Sequence, residues 1–468
     1  MATAADPRAF ATIRELGRML RAGETTPTAL TLFFLERLDT VGRRLNAVVT
    51  PTRERALDEA RVAERELATG HDRGPLHGIP YGAKDLCATA PPYPTSWGAA
   101  PLRDQQFAHD ATAIERLHGA GAILVAKLAM VELAGGFGYD QANATFTGPG
   151  VNPWNTDAWS GGSSSGSGSA VGAGAVPFAI GSETAGSILT PASFCGVSGL
   201  RPTYGRVSRH GAMALSWTLD KLGPMCRTAD DCGLVLAALA GRDPADPTTL
   251  DEPYAYRPER DRAGGFRLAV PRGAAEGGQP EVAANFRAAL DALAPLATIE
   301  EIAVPDFPYG AVVTAILDGE MASAFDDFIA SGRVEELTAP EDRVGGYGWR
   351  FMPAKDYVNA LRLRRAVIAA WDEVLARYDA ILAPATTVVA VPLDRRFSEY
   401  FPRDRRHVLT AVGNIIGAPG ISVPNGFGER GLPTGLQILG RAGAENMVLA
   451  VARAYQGCTD WHRMQPPH

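Results

Sequence analysis

The sequence predicts an α/β fold: a single domain whose sheet is covered by helices on both faces. Three observations carry that expectation. Short apolar runs alternate with helical segments along all 468 residues, the pattern of a sheet that needs a helical layer on each side. No segment repeats at a fixed period. No stretch has the length and composition of an interdomain linker.

In order along the chain, Ile13, Leu16, Met19 and Leu20 fall at helical spacing and Gly23 stops the segment. Thr26-Pro27 opens a second helix, with proline suited to its first position. "LNAVVT" reads as a strand and "RERALDEARVAERELATG" as an amphipathic helix. "GIPYGAKDL", residues 78–86, reads as a turn-rich segment, "ATAIERLHGAG" as a helix and "AILVAK" as a strand. "GAVPFAIGSE" is an apolar strand, and "TADDCGLVLAALAG" a helix capped by Thr228. "GFRLAVP" and "EVAANFRAALDAL" give a strand and a helix. Residues 305–360 read as irregular, with Tyr347, Trp349 and Phe351 among glycines. This aromatic set, with Tyr357, fits core or lid packing first and the lining of an apolar entrance second. A long helix from Ala354 leads to the strand "DAILAPA", and the chain ends in strand, hairpin, strand and helix.

Composition narrows function. Hydrophobic residues make up 46% and charged residues 21%, as in ordinary globular proteins. The formal net charge of −7 and the absence of Lys/Arg runs argue against a nucleic-acid partner. No apolar run has the length of a membrane span, and the N-terminus has no signal pattern. The five cysteines include no CxxC pair, which points to a reducing, cytoplasmic setting.

From Ser160 to Ser169 every residue is serine or glycine. A flexible linker is one reading, but the run is short and passes directly into "AVGAGAVPFAIGSE", whose small residues suit close helix packing. A phosphate cradle is another, yet no Gly-Lys pair exists and Val171 occupies the third glycine position of a dinucleotide fingerprint. A serine nucleophile needs a base. None of the eight histidines lies in a recognisable catalytic setting, and neither His nor Cys has metal-ligand spacing. A buried lysine serves as a base once desolvation lowers its pKa. Lys84 in "GIPYGAKDL" has small and apolar neighbours, and Asp85 must point elsewhere or it would hold Lys84 charged.

Three segments together resemble the amidase signature family: "GIPYGAKDL", the long stretch "GGSSSGSGSAVGAGAVPFAIGSETAGSILTPASFCGVSGLRPTYGRVS" over residues 161–208, and "GNIIGAPGISVPNGFGERGLPTGLQILG" over 413–440. Their order and spacing span nearly the whole chain. The resemblance implies a single amidase-signature domain over 1–468 with a central mixed, twisted sheet. Within it, residues 1–75 would supply N-terminal helices and 76–240 the catalytic core. Residues 241–360 would form a variable lobe or lid, and 361–468 the C-terminal part of the core. It also implies a Ser-cisSer-Lys triad: Lys84 as base, Ser163 as bridge after a cis Gly162-Ser163 peptide, and Ser187 as nucleophile. The backbone of Thr184, Ala185, Gly186 and Ser187 matches the family's oxyanion hole. Gly135, Gly136 and Phe137 match a loop beside the acyl pocket. Leu189 stands where the family often carries arginine, which suggests an apolar lining there. Arg201 and Asp220 match positions that hold the core, and Cys195 a buried small residue.

The family's chemistry implies an amidohydrolase that needs no cofactor or metal and forms an acyl-serine intermediate. Carbamates (urethanes) and esters react through the same tetrahedral oxyanion. The expected partner is a small-molecule amide, ester or carbamate, and the expected state is monomer or homodimer. Two alternatives remain: a component of a tRNA-dependent amidotransferase complex, and an enzyme mainly active on esters or carbamates.

Overall fold

The computed structural model describes residues 6–257, 265–401 and 408–467. Among these, the apolar runs form strands β1 (Val48–Pro51), β2 (Pro80–Lys84), β3 (Ile123–Leu128), β4 (Phe178–Glu183), β5 (Ser198–Arg201), β6 (Lys221–Cys226), β7 (Phe266–Pro271), β8 (Ala297–Ile302), β9 (Ala380–Pro384), β10 (Gly420–Phe427) and β11 (Pro433–Leu439). They make one mixed sheet in the order β1-β3-β2-β4-β6-β5-β10-β11-β9-β7-β8. Between them run the helices α1 (Ile13–Arg21), α2 (Pro27–Arg37), α3 (Arg53–Ala68), α4 (Thr112–Gly119), α5 (Ser165–Gly172), α6 (Leu189–Cys195), α7 (Ala229–Leu239) and α8 (Pro280–Leu293). Then follow α9 (Tyr309–Ala324), α10 (Asp326–Ala330), α11 (Asp342–Trp349), α12 (Ala354–Leu375), α13 (Phe397–Tyr400), α14 (Val408–Ile415) and α15 (Glu445–Cys458).

Alternation along the strands sorts the core into two layers, because successive side chains leave opposite faces of a sheet. Leu124, Phe178 and Ile180 pack with α4, α7 and α15 on one face. Ile123, Val125 and Ala179 pack with α3, α5 and α6 on the other. The later strands split likewise. Leu382 and Ile438 join the first face, while Ile381 and Leu439 meet α9, α12 and α14 on the second. The second face therefore carries two groups of helices.

Helix starts follow local chemistry. Thr26 Oγ1 accepts from Ala29 N–H with Pro27 in the first turn, and Thr228 Oγ1 accepts from Asp231 N–H at 3.0 Å. The Gly/Ser run is no linker: its second half is α5, buried along its whole length. A Cβ on Gly166 would stand 2.5 Å from both Ala129 N and Ala47 O, so the backbone approach requires glycine.

Two expectations are corrected. "GIPYGAKDL" contains β2, a buried strand held parallel between β3 and β4; its glycines mark tight packing, since a Cβ on Gly82 would overlap Leu128. The segment 305–360 is largely helical, with α9, α10 and α11 and the start of α12. Glycines at 310 and 319 masked α9 in the sequence, yet Val312, Val313, Ile316 and Met321 bury one continuous helical face.

Candidate active site

The parallel pairing of β2 with β4, Ala83 opposite Ile180, sets the ends of both strands side by side. Lys84 ends β2 and is fully buried. Its Nζ lies 2.7 Å from Ser163 Oγ, 2.8 Å from Ser182 Oγ and 3.1 Å from Ser164 Oγ. Burial pushes the Lys84 pKa down to about 7, against weak opposition from Cys87 and the carboxylates of Asp220 and Glu183. Asp85 points away, pairing with Lys127 at 2.9 Å and accepting from Ser96.

The donor count suits a neutral amine. A neutral amine has two N–H donors and one lone pair. Ser164 and Ser182 can take the donors, leaving the lone pair for the Ser163 hydroxyl proton. Ser164 is fixed in turn: its Oγ donates to the Ser182 carbonyl and accepts from Ser182 N–H, both at 3.2 Å.

Ser163 follows a cis peptide from Gly162 and is almost wholly buried. Ser187 lies between β4 and α6 and is half-buried. Ser164 N–H donates to the Ser187 carbonyl at 3.3 Å, which ties the two loops together. Ser187 and Gly162 line a cleft of about 640 Å³ between the two helix groups of the second face.

The turn 184–187 is built to leave backbone donors open. Among the described residues the N–H groups of Ala185, Gly186 and Ser187 meet no acceptor. Gly186 has φ +112°, a region that disfavours side chains. Glu183 holds the turn from behind, accepting from Ile188 and Leu189 N–H at 2.9 and 3.0 Å and from Arg201 Nη1 at 2.8 Å. Burial alone would raise the Glu183 carboxyl, but Arg201 and Lys221 outweigh it and hold it below its usual range. Asn414 on α14 donates to Glu183 at 3.0 Å and accepts from Lys221 at 2.6 Å. Thr184 Oγ1 donates to buried Asp220 at 2.6 Å.

The structure places the expected residues unequally. Lys84 and Ser163 meet directly, and Thr184, Ala185, Gly186, Ser187 and Gly135 line the cleft. Gly136, Phe137 and Leu189 lie outside that lining. A Cβ on Gly136 would overlap Leu215 and Met321. Phe137 is buried against Phe325 and Trp349. Leu189 is buried at the start of α6, and Thr190 reaches the cleft instead. Trp349 packs on Phe137, Phe351 is 86% exposed, and Tyr357 donates to Glu320 at 3.0 Å. Cys195 is an inert thiol that donates to the Ser160 carbonyl at 3.2 Å, its pKa raised by burial.

Sequence reasoning passed over Ser182, whose signal was the polar pair Ser182-Glu183 closing an otherwise apolar strand. It also passed over Tyr139, Trp159, Phe397 and Phe401 in the cleft wall, which no local motif links.

Known proteins share this sequence pattern and fold over nearly the whole chain. The sequence pattern of the family named Amidase matches residues 29–449. A glutamyl-tRNA(Gln) amidotransferase subunit from Roseiflexus sp. (strain RS-1) is 37% identical, over 97% of this chain and 98% of its own. The native peptide amidase of Stenotrophomonas maltophilia superposes with a TM-score of 0.83 at 31% identity, covering 99% of each chain. A chain from a vestigial protein complex tied to the origins of an s-triazine catabolic enzyme gives a TM-score of 0.87 at 29% identity, covering 96% of this chain and 98% of that one.

Proposed function

Because the chain belongs to the amidase signature family, whose hydrolases act on amide bonds, we propose that it cleaves small carboxamides through an acyl-Ser187 intermediate. The observation that carries this reading is a buried lysine, its pKa lowered to about 7, in hydrogen-bond contact with three hydroxyls and with no carboxylate.

Ser187 Oγ attacks the amide carbon. Its proton passes to Ser163, whose own proton moves to Lys84 Nζ. The oxygen that becomes negative is met by N–H groups of the 184–187 turn, the kind of donor whose loss typically costs about 10²–10³ in rate. The C–N bond then breaks as Lys84 returns a proton, through Ser163, to the departing amine. Water attacks the Ser187 ester and loses a proton to the same relay; the acyl–Oγ bond then breaks as Lys84 returns that proton, through Ser163, to Ser187 Oγ, which frees the acid. Esters and carbamates fit the same steps.

The test is hydrolysis by the purified chain alone. Ser187→Ala should lower kcat by at least about 10³-fold without loss of fold, and a fluorophosphonate should label Ser187. Normal turnover by Ser187→Ala would reject the assignment. A second reading, an amidotransferase component that works within a complex, is favoured by the 37% identity to such a protein. It predicts that the isolated chain is silent on simple amides and gains activity only with partners.

A further inference from the structure

The walls of the cleft indicate which carboxamides enter, an inference that rests on the proposed amide hydrolysis. Among the described lining residues Asp140 is the one charged side chain, and its carboxylate is already occupied. Oδ1 accepts Ser398 N–H at 2.8 Å, Oδ2 accepts the Ser398 hydroxyl, and Arg396 Nη1 stands 3.8 Å from Oδ2. The Asp140 carbonyl accepts Phe397 N–H at 2.9 Å. These bonds fasten the single turn α13 to the segment around Tyr139, and so set Phe397 and Phe401 into the cleft wall.

The rings form a continuous surface. Phe397 stacks on Trp159 with centroids 4.4 Å apart and meets Tyr139 edge-on at 5.5 Å. Phe401 meets Phe397 edge-on at 6.3 Å. Trp159 reaches back to the site: a Cβ on Gly162 would stand 2.7 Å from indole Cζ2. The aromatic surface therefore begins at the peptide that carries Ser163. Leu215, Val313 and Leu317 contribute apolar side chains to the same cleft. Thr184, Thr190, Thr314, Thr386 and Thr410 make other parts of the lining polar. The ring-bearing side, where the partly exposed Tyr139 and Phe401 flank the buried Phe397 and Trp159, suits another ring, which packs offset or edge-on against it.

We propose that this wall selects carboxamides bearing an aromatic ring, and that Asp140 is the positioning residue that holds it. A ring on the acyl side and a ring on the amine side both fit this chemistry, and benzamide and acetanilide distinguish them, with acetamide as the ringless reference. For the wild-type chain, kcat/KM for at least one aryl amide should exceed that for acetamide. Phe397→Ala and Phe401→Ala should lower that aryl-to-acetamide ratio by about tenfold. Phe397→Leu keeps the space filled while removing the ring, and should lower it too. Asp140→Ala should raise KM for the favoured aryl amide more than it lowers kcat, and Asp140→Asn, which still accepts from Ser398, should recover most of the loss. Ratios unmoved in the Phe397 and Phe401 variants, with acetamide still hydrolysed, overturn the wall and leave the proposed function standing. A wild-type chain that hydrolyses none of the three amides overturns both.

Discussion

Lys84 reaches its site with no carboxylate in hydrogen-bond contact to keep it charged. The nearest carboxylate in sequence, Asp85, is bound to Lys127, so burial acts almost unopposed and brings the amine to about 7. The activity consequence has a definite sign. Protonation removes the lone pair that accepts the Ser163 proton, so kcat/KM on an amide should climb about tenfold per pH unit below 7 and level off above it. A profile flat from pH 5 to 9 would remove Lys84 from the role of base. The same shift bears on stability. The unfolded chain holds this proton up to the ordinary value of 10.5, the folded chain only to about 7. The group's contribution therefore improves as pH rises through that window. Lys84→Met should accordingly raise Tm most at pH 7 and below, with a gain that shrinks toward pH 10, as a thermal melt series would read. The contact of Lys84 with Ser163 was legible because the family's motifs carry both residues. Ser182 was not, because a serine followed by Glu183 looks like any polar strand terminus until β2 is laid beside β4.

At the scale of one element, α5 inverts the usual rule about glycine. Replacing a helical glycine by alanine ordinarily stabilises by about 1 kcal/mol, since alanine is the better helix former. At Gly166 the added methyl would meet backbone atoms of Ala129 and Ala47 at 2.5 Å, and neither is the movable end of a side chain. The clash decides the sign. Gly166→Ala should destabilise by about 1–3 kcal/mol or more, seen as a lower urea midpoint, and a variant as stable as the parent would contradict the packing described. The small residues of this run were legible as close packing, although the helix they form was not, because serine and glycine carry no apolar period. The reverse holds for α9. Its apolar period is present at Val312, Val313 and Ile316, but two glycines inside it outweighed the pattern. The aromatic wall was illegible for a third reason. Tyr139, Trp159, Phe397 and Phe401 come from three separate segments, and only the folded chain, with Asp140 bonded to Ser398, brings them to one surface.

Across the whole molecule, the order of strands decides how independent the segment 241–360 can be. Its strands β7 and β8 lie at one end of the sheet, and β7 pairs with β9, which pairs with β11. The hairpin of β10 and β11 comes from the C-terminal part of the chain and stands between β5 and β9, with Ile421 opposite Leu200 and Leu436 opposite Pro384. The last strands in sequence thus join the N-terminal half of the sheet to the segment that the sequence assigned to a lobe or lid. Helix α9 of that segment lines the same cleft as Ser187, and α14 lines it from the C-terminal part. A separately melting lobe would have to break β7 from β9 and strip one wall from the site. We therefore expect one cooperative unfolding transition, in which fluorophosphonate labelling of Ser187 and far-ultraviolet circular dichroism are lost at the same temperature. Labelling lost well below the loss of secondary structure would mean that residues 241–360 open on their own. In that case access to Ser187 would be governed by local opening of the segment, and the sheet would not be the unit that holds the cleft in shape.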